Sequence, residues 1–141
     1  MKNYMIAAIS GMALTACWGA PPNDKILTDL CQDVFSGDPQ ILGEIADESG
    51  ADLSSFCSCY GETLAADTSK IDVHKAVSSA IIEARDGTTL GAEDAAERVE
   101  ERIRSGEIDG FTEDQLMQVG SDYQSIMRDM SRNEGVCPVG S

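Results

Sequence analysis

The stretch Phe56-Cys57-Ser58-Cys59-Tyr60 places two cysteines one residue apart near the middle of the 141-residue chain. One cysteine, Cys31, lies upstream of it, and another, Cys137, lies near the C-terminus. If the stretch is helical, its two cysteines point about 200° away from each other, too far for a normal disulfide between them. Each should therefore bond to a different partner, so that the helix is held from two sides.

Outward from this stretch, every segment after Asp24 favours helix, and none alternates convincingly between apolar and polar residues. Apolar residues recur at spacings of three and four, and helix-capping residues and glycines separate the runs. The expected fold is all-α, a small disulfide-stapled bundle of five to six helices in a single acidic domain, residues 24–141. The first expected helix runs from about Asp24 and stops at Gly37, and the second opens at Asp38-Pro39 and ends at Gly50. The third is capped by Asp52 and has its apolar stripe between Leu53 and Leu64. The others run from Ile71 or Asp72 to before Asp86, over about 92–105, and from Thr112 with a stripe that reaches Met130.

The first sixteen residues have the character of a targeting segment. Lys2 forms a short positive region, and residues 5–14 are an apolar and small-residue run too short to span a bilayer. The run ends in Leu14-Thr15-Ala16-Cys17, which resembles the lipobox of bacterial lipoproteins. In that motif a branched apolar residue and two small ones precede an obligatory cysteine. A plain secretory cut after Ala16 is the alternative.

The lipobox resemblance implies that residues 1–16 are a signal peptide and that Cys17 carries the lipid. Several acyl chains anchor a protein firmly, whereas one chain gives only marginal membrane binding. Residues 17–23 would then be the lipidated cysteine and a short tether, which spans at most roughly 20 Å. Trp18 is not the inner-membrane retention aspartate of the enteric system, so the resemblance implies the outer membrane, facing the periplasm, in a diderm organism.

Export into an oxidising compartment changes the interpretation of the other four cysteines. With Cys17 assigned to lipid, Cys31, Cys57, Cys59 and Cys137 are even in number and predict two disulfides. Two connectivities remain open, each joining one member of the central pair to Cys31 and the other to Cys137. Cys31 and Cys57 both lie on apolar stripes, and the first three helices connect by short turns, so apolar face should meet apolar face. This favours their pairing and leaves Cys59 for Cys137.

A redox-active dithiol or a soft-metal pair is the competing interpretation of Cys57 and Cys59. Either would need a neighbour that stabilises a thiolate. The nearest downstream basic residues are Lys70 and His74, and the upstream sequence is acidic. Structural disulfides are therefore favoured over a thiol-disulfide redox protein acting through Cys57 and Cys59.

The charge of the chain limits its partners. After residue 16 there are 9 basic and 25 acidic residues, a net charge of −16. A phosphate-binding face needs clustered Lys and Arg, so no nucleic-acid partner is expected. The acids of residues 93–101 alternate with Arg98, Arg102 and Arg104 and are typical of a solvated helix with ion pairs.

No catalytic, cofactor-binding or metal-binding pattern stands out in the sequence. The single histidine, His74, lacks companions at ligand spacing and is expected at a boundary or on the surface. Met127 and Met130 fit the core stripe of the last helix, and Met117 lies apart from it. The expected role is non-enzymatic: a membrane-anchored envelope lipoprotein with a binding or structural function and a possible envelope protein partner.

Overall fold

The computed structural model describes residues 21–139, and these fold as six α-helices with no strand among them. The all-α prediction of five to six helices is confirmed. No helix in this range is long and apolar enough to cross a membrane. The helices are α1 (Asn23–Phe35), α2 (Pro39–Ser49), α3 (Leu53–Ala65), α4 (Thr68–Arg85), α5 (Ala92–Arg104) and α6 (Glu113–Arg132).

Helix starts follow the capping residues of the sequence. The Asp52 carboxylate accepts a hydrogen bond from the Ser55 backbone N–H at the start of α3. The Thr112 and Gln115 side chains form a reciprocal capping box at α6. Helix α4 begins at Thr68, one turn before the predicted start, because Asp67 caps it. Periodicity missed this turn because residues 68–70 contain no apolar side chain.

Helix α3 lies against α1 over most of its length, and this is the tightest interface in the described residues. At Gly61 a side-chain methyl group would overlap both the Thr28 hydroxyl and the Asp24 carbonyl oxygen. The two backbones therefore approach closely only because residue 61 is glycine. Further along, a disulfide joins Cys31 to Cys57, whose Cα atoms are 5.5 Å apart.

An aromatic cluster fills the centre of the bundle and joins α1, α3 and α6. The rings of Tyr60 and Tyr123 stack with centroids 4.3 Å apart and planes 6° from parallel. Phe35 meets the Tyr123 ring edge-on at 4.9 Å, and Phe56 lies within 6.3 Å of both Phe35 and Tyr123. Such offset and edge-to-face pairs add specific geometry to apolar burial.

The C-terminal tail, residues 133–139, continues past α6 without regular structure. A second disulfide, Cys59–Cys137, fixes this tail to α3. The tail also packs against the end of α2, where Gly50 and Gly135 both have positive φ. A methyl group on Gly135 would come within 2.6 Å of the Gly50 carbonyl oxygen. Helix α3 is thus held on one side by α1 and on another by the tail.

Candidate functional site

The predicted lipidation site cannot be followed into the fold, because Cys17 and the signal segment lie outside the described residues. Only the end of the predicted tether, from Pro21, is described. Helix α1 begins two residues later. Lipidation at Cys17 stays a prediction.

The four remaining cysteines form the two disulfides that the packing argument favoured. Cys31 and Cys57 are completely buried, Cys59 is 1 % exposed, and Cys137 is half-buried. Cys57 and Cys59 do not bond to each other, and each is held by a different segment of the chain. Apart from its disulfide, Cys59 has one described polar contact, 4.0 Å from its Sγ to the Thr63 hydroxyl. No lysine, arginine or histidine side chain forms a hydrogen bond to either sulfur within residues 21–139.

A buried polar cluster, not anticipated from the sequence, joins α3, α4 and α6. The Tyr60 hydroxyl lies 2.6 Å from His74 Nδ1, and His74 Nε2 lies 2.9 Å from Asp122 Oδ2. Lys70 Nζ is 3.0 Å from the other carboxylate oxygen, and the Gln118 side-chain amide donates to that same oxygen at 3.1 Å. Every polar atom of His74 and Asp122 therefore has a partner.

The protonation states follow from this geometry. Burial lowers the pKa of His74 and outweighs the Asp122 carboxylate, which acts to raise it, so the ring is neutral at neutral pH. Burial opposes ionisation of Asp122, but hydrogen bonds from Lys70, His74 and Gln118 outweigh it and hold its pKa below the ordinary value. A neutral ring beside a carboxylate carries its proton on Nε2 and donates it to Asp122. Nδ1 then accepts the Tyr60 proton.

The arrangement has the order of a proton relay, tyrosine to histidine to aspartate, but no substrate can reach its reactive end. Tyr60 is 0 % exposed and His74 is 1 % exposed. Burial also raises the pKa of Tyr60, so its hydroxyl stays protonated. The cluster therefore serves to bind three helices together, and only at its outer edge, at Lys70 and Gln118, do side chains reach well into solvent.

The prediction that His74 lies at a boundary or on the surface is wrong. Sequence spacing shows only residues on the same helix, whereas both partners of this ring come from other helices, α3 and α6. Two further hydroxyls beside this cluster, of Ser78 and Tyr123, influence the pKa of Tyr60. They are buried and have no hydrogen bond of normal geometry within the described part of the chain.

An apolar groove of 330 Å³ lies between α2, α5 and α6. Its floor is made of core residues from α1, α4 and α6, including Phe35, Val77, Ile81 and Tyr123. The groove exists because the facing positions on α5 and α6 are small. Ala92 and Ala96 line it from α5, and Gly120 lines it from α6. Small side chains cannot fill the space between two packed helices.

The rim of this groove has an unusual composition. Met117, on α6, is 63 % exposed and lines the groove. This is the methionine that lies apart from the core stripe of α6. All four charged residues that line the groove are acids, and they are Glu44, Glu93, Glu97 and Glu100. No lysine, arginine, histidine, serine or cysteine lines it. Met side chains adapt to varied apolar partners, which makes them frequent at protein-binding surfaces.

Other surface depressions have structural explanations. One depression, of 610 Å³, lies around Arg85, whose guanidinium donates hydrogen bonds to carbonyl oxygens of Val34, Ser36 and Leu90. Arg85 thereby caps the C-terminal end of α1. A smaller depression lies beside Asp38, whose two carboxylate oxygens cap different helices. Oδ1 accepts from the first turn of α2, and Oδ2 accepts from the Ala92 N–H of α5 at 2.7 Å.

No cluster of three or more potential metal ligands occurs among residues 21–139. The groove is a functional candidate that the sequence pattern did not predict. Its signals were present separately, as the thin alanine face of α5 and the isolated Met117, but nothing in the sequence showed that α5 and α6 face each other. Comparison with known proteins gives no match to any family model, any curated protein or any solved structure.

Proposed function

We propose that this protein is a lipid-anchored lipoprotein of the bacterial envelope with a non-enzymatic binding role, and that the groove between α2, α5 and α6 is its binding surface. The observation that carries the binding role is the groove itself. Its floor is apolar, its rim is charged, and it opens to solvent on a face rich in small residues. A surface of this kind binds apolar partners, and no nucleophile and base lie together along it.

The position of the groove suits a tethered protein. Helix α1 begins at Asn23, close behind the predicted anchor, and ends at Phe35, which contributes to the groove floor. A 13-residue helix is about 20 Å long. The start of α1, which follows the predicted tether, and the groove floor therefore lie at opposite ends of this helix. A protein held at its N-terminus would keep this groove free to meet a partner in the periplasm.

The anchor is tested by the Cys17→Ser variant, expressed with its N-terminal segment in a diderm host. We expect the wild-type chain in the outer-membrane fraction, with a mass increase for a diacylglyceryl and an N-acyl group. The variant should lack this mass and appear in the soluble periplasmic fraction. Cys17→Ser protein that remained in the membrane would contradict the lipoprotein proposal.

The alternative is a thiol-disulfide redox protein acting through Cys57 and Cys59. The separate partners of these cysteines and the burial of three of the four disulfide-bonded ones support a structural role instead. Thiol titration in a series of redox buffers separates the two. A structural disulfide has a reduction potential below about −300 mV and resists reduction by glutathione buffers. A redox-active pair is reduced at a milder potential. Reversible reduction in the range of known oxidoreductases, with the fold retained, would favour the redox function.

A further inference from the structure

The rim of the groove carries negative charge that its apolar floor does not explain. Of its four glutamates, only Glu100 has an ion-pair partner in the described residues, namely Arg104. Glu44, Glu93 and Glu97 have none, although Gln40 donates a hydrogen bond to Glu44. Three uncompensated carboxylates therefore border one apolar surface. A partner that covered the floor without neutralising them would bring them out of water at a cost, so the occupant should carry positive charge.

The dimensions of the groove favour a helix as this occupant. On α5 the lining runs from Ala92 to Glu100, a rise of about 12 Å, and on α6 from Leu116 to Met127, about 16 Å. These lengths match two to three helical turns. A helix binds such a groove through apolar residues spaced at i, i+3 or i+4, and i+7, with its polar residues along the two rims.

Gly120 supports the idea that the groove is kept open. It lies inside α6, where glycine is unfavourable by about 1 kcal/mol relative to alanine. A Cβ atom at this position would meet nothing within 4 Å, so packing does not require glycine. This differs from Gly61, where an added methyl group would overlap α1. Glycine at position 120 weakens the helix and gains no internal contact, but it widens the groove.

We propose that the groove binds a basic amphipathic helix of an envelope protein, with apolar side chains on the floor and Lys or Arg side chains paired with Glu93, Glu97 and Glu44. This inference rests on the groove being the binding surface, and it adds the chemistry of the partner. A second copy of this chain is a poor occupant, because two molecules that each carry −16 repel each other.

The probe is a 14-residue peptide with leucines at i, i+3, i+4, i+7 spacing and lysines elsewhere. One control peptide has the same composition in scrambled order, and another has glutamine in place of every lysine. The protein is the full chain with Cys17→Ser, purified without detergent, because detergent would compete for the apolar floor. We expect the amphipathic lysine peptide to bind at least tenfold tighter than either control, and its affinity to fall as salt is raised.

Methionine methyl signals in NMR spectra report where the peptide binds. Beyond the predicted signal peptide the chain has only Met117, Met127 and Met130. The first two line the groove, whereas Met130 is fully buried elsewhere. Binding in the groove should shift the Met117 and Met127 methyl resonances and leave the Met130 resonance nearly unchanged. A peptide that shifts none of them binds outside the groove and overturns the proposal.

Two matched pairs of variants test the groove and its charges separately. Gly120→Trp should fill the groove and weaken binding at least tenfold, whereas Gly43→Trp, at an exposed and equally open helix position that does not line the groove, should not. The double variant Glu93→Gln/Glu97→Gln should weaken binding about fivefold, as expected for two rim ion pairs. Its control removes two acids from α5 that do not line the groove, Asp94→Asn/Glu101→Gln.

The outcomes distinguish the two proposals. Equal binding of the lysine and glutamine peptides, both blocked by Gly120→Trp, would overturn the basic partner and leave the groove as an apolar binding surface. Equal binding of the scrambled peptide would show a nonspecific attraction between opposite charges and overturn the helix. If Gly120→Trp folds poorly, Met117→Lys at the exposed rim gives the same test, because the added charge should repel the basic peptide. Binding insensitive to both variants would remove the groove from the proposed function as well.

Discussion

The α1–α3 interface and the α5–α6 face are built from similar small residues but have opposite structures. Between α1 and α3 a glycine, Gly61, lets the two helices come into direct backbone contact, and a fully buried disulfide joins them. Between α5 and α6 a second glycine, Gly120, and two alanines leave a groove down to the aromatic core. Close packing at one interface stabilises the fold, and the open groove at the other is the proposed binding surface.

This contrast shows that small residues do not by themselves decide how closely two helices pack. The outcome depends on whether the neighbouring helix lies close enough to fill the space that a small side chain leaves. On the α1–α3 side, Cys31–Cys57 keeps the helices together. On the α5–α6 side, α5 carries charges on most of its surface and is fixed at its start by Asp38. The variants below test this difference, in order of decreasing expected effect.

Removal of the buried disulfide should have the largest effect on stability. In Cys31→Ala/Cys57→Ala the unfolded chain regains the freedom of a loop that the bond closes between residues 26 apart. A chain-entropy estimate gives about 3.5 kcal/mol, and the missing sulfurs also leave space in the core. Urea unfolding should show a lower free energy of unfolding by this amount or more. A loss below about 1 kcal/mol would mean that the α1–α3 side does not dominate stability.

The two helical glycines should respond in opposite directions to the same substitution. Gly61→Ala places a methyl group against Thr28 and the Asp24 carbonyl and should lower the free energy of unfolding by about 3 kcal/mol. Gly120→Ala meets open space and should raise it by about 0.5 to 1 kcal/mol, because alanine favours helix. Both are measured by chemical denaturation. Similar losses in the two variants would contradict the contrast between the interfaces.

Asp38 should be the most important cap on the groove side, because its carboxylate serves both α2 and α5. Asp38→Ala removes hydrogen bonds to two helix starts and should cost about 2 kcal/mol, with faster amide exchange in the first turns of both helices. Asp52→Ala removes the cap of α3 alone and is the control, with a smaller loss. Protection factors that change in α2 but not in α5 would show that the second cap is unimportant.

The smallest expected effect is a dependence of stability on mildly acidic pH. Burial lowers the pKa of His74 below its unfolded value, so the unfolded chain binds the proton more readily and the folded state loses stability as pH falls below about 6.5. His74 is the only histidine, so the slope between pH 7.5 and 5.5 should flatten in His74→Gln. The pKa of Asp122 is also lowered, and its contribution is lost only at lower pH. An unchanged slope in the variant would contradict this assignment.

The sequence predicted the parts of the structure that depend on near neighbours. Helix starts at Asp52 and Thr112 follow from side chains that accept hydrogen bonds from the backbone three residues ahead. The separate partners of Cys57 and Cys59 follow from the angle between residues two apart on one helix. The location of the protein in the envelope also rests on a local pattern, at Cys17, and stays a prediction.

Tertiary structure decided everything that needs two helices to meet. His74 is a core residue because Tyr60 and Asp122 reach it from α3 and α6, 14 and 48 positions away. Gly120 opens a groove and Gly61 closes an interface because of what faces each of them. Spacing along one chain fixes which residues share a helix face, but the neighbour of that face depends on how the whole core packs. For that reason the sequence by itself determined the helices and the need of Cys57 and Cys59 for separate partners, and only the tertiary structure fixed those partners and located the groove.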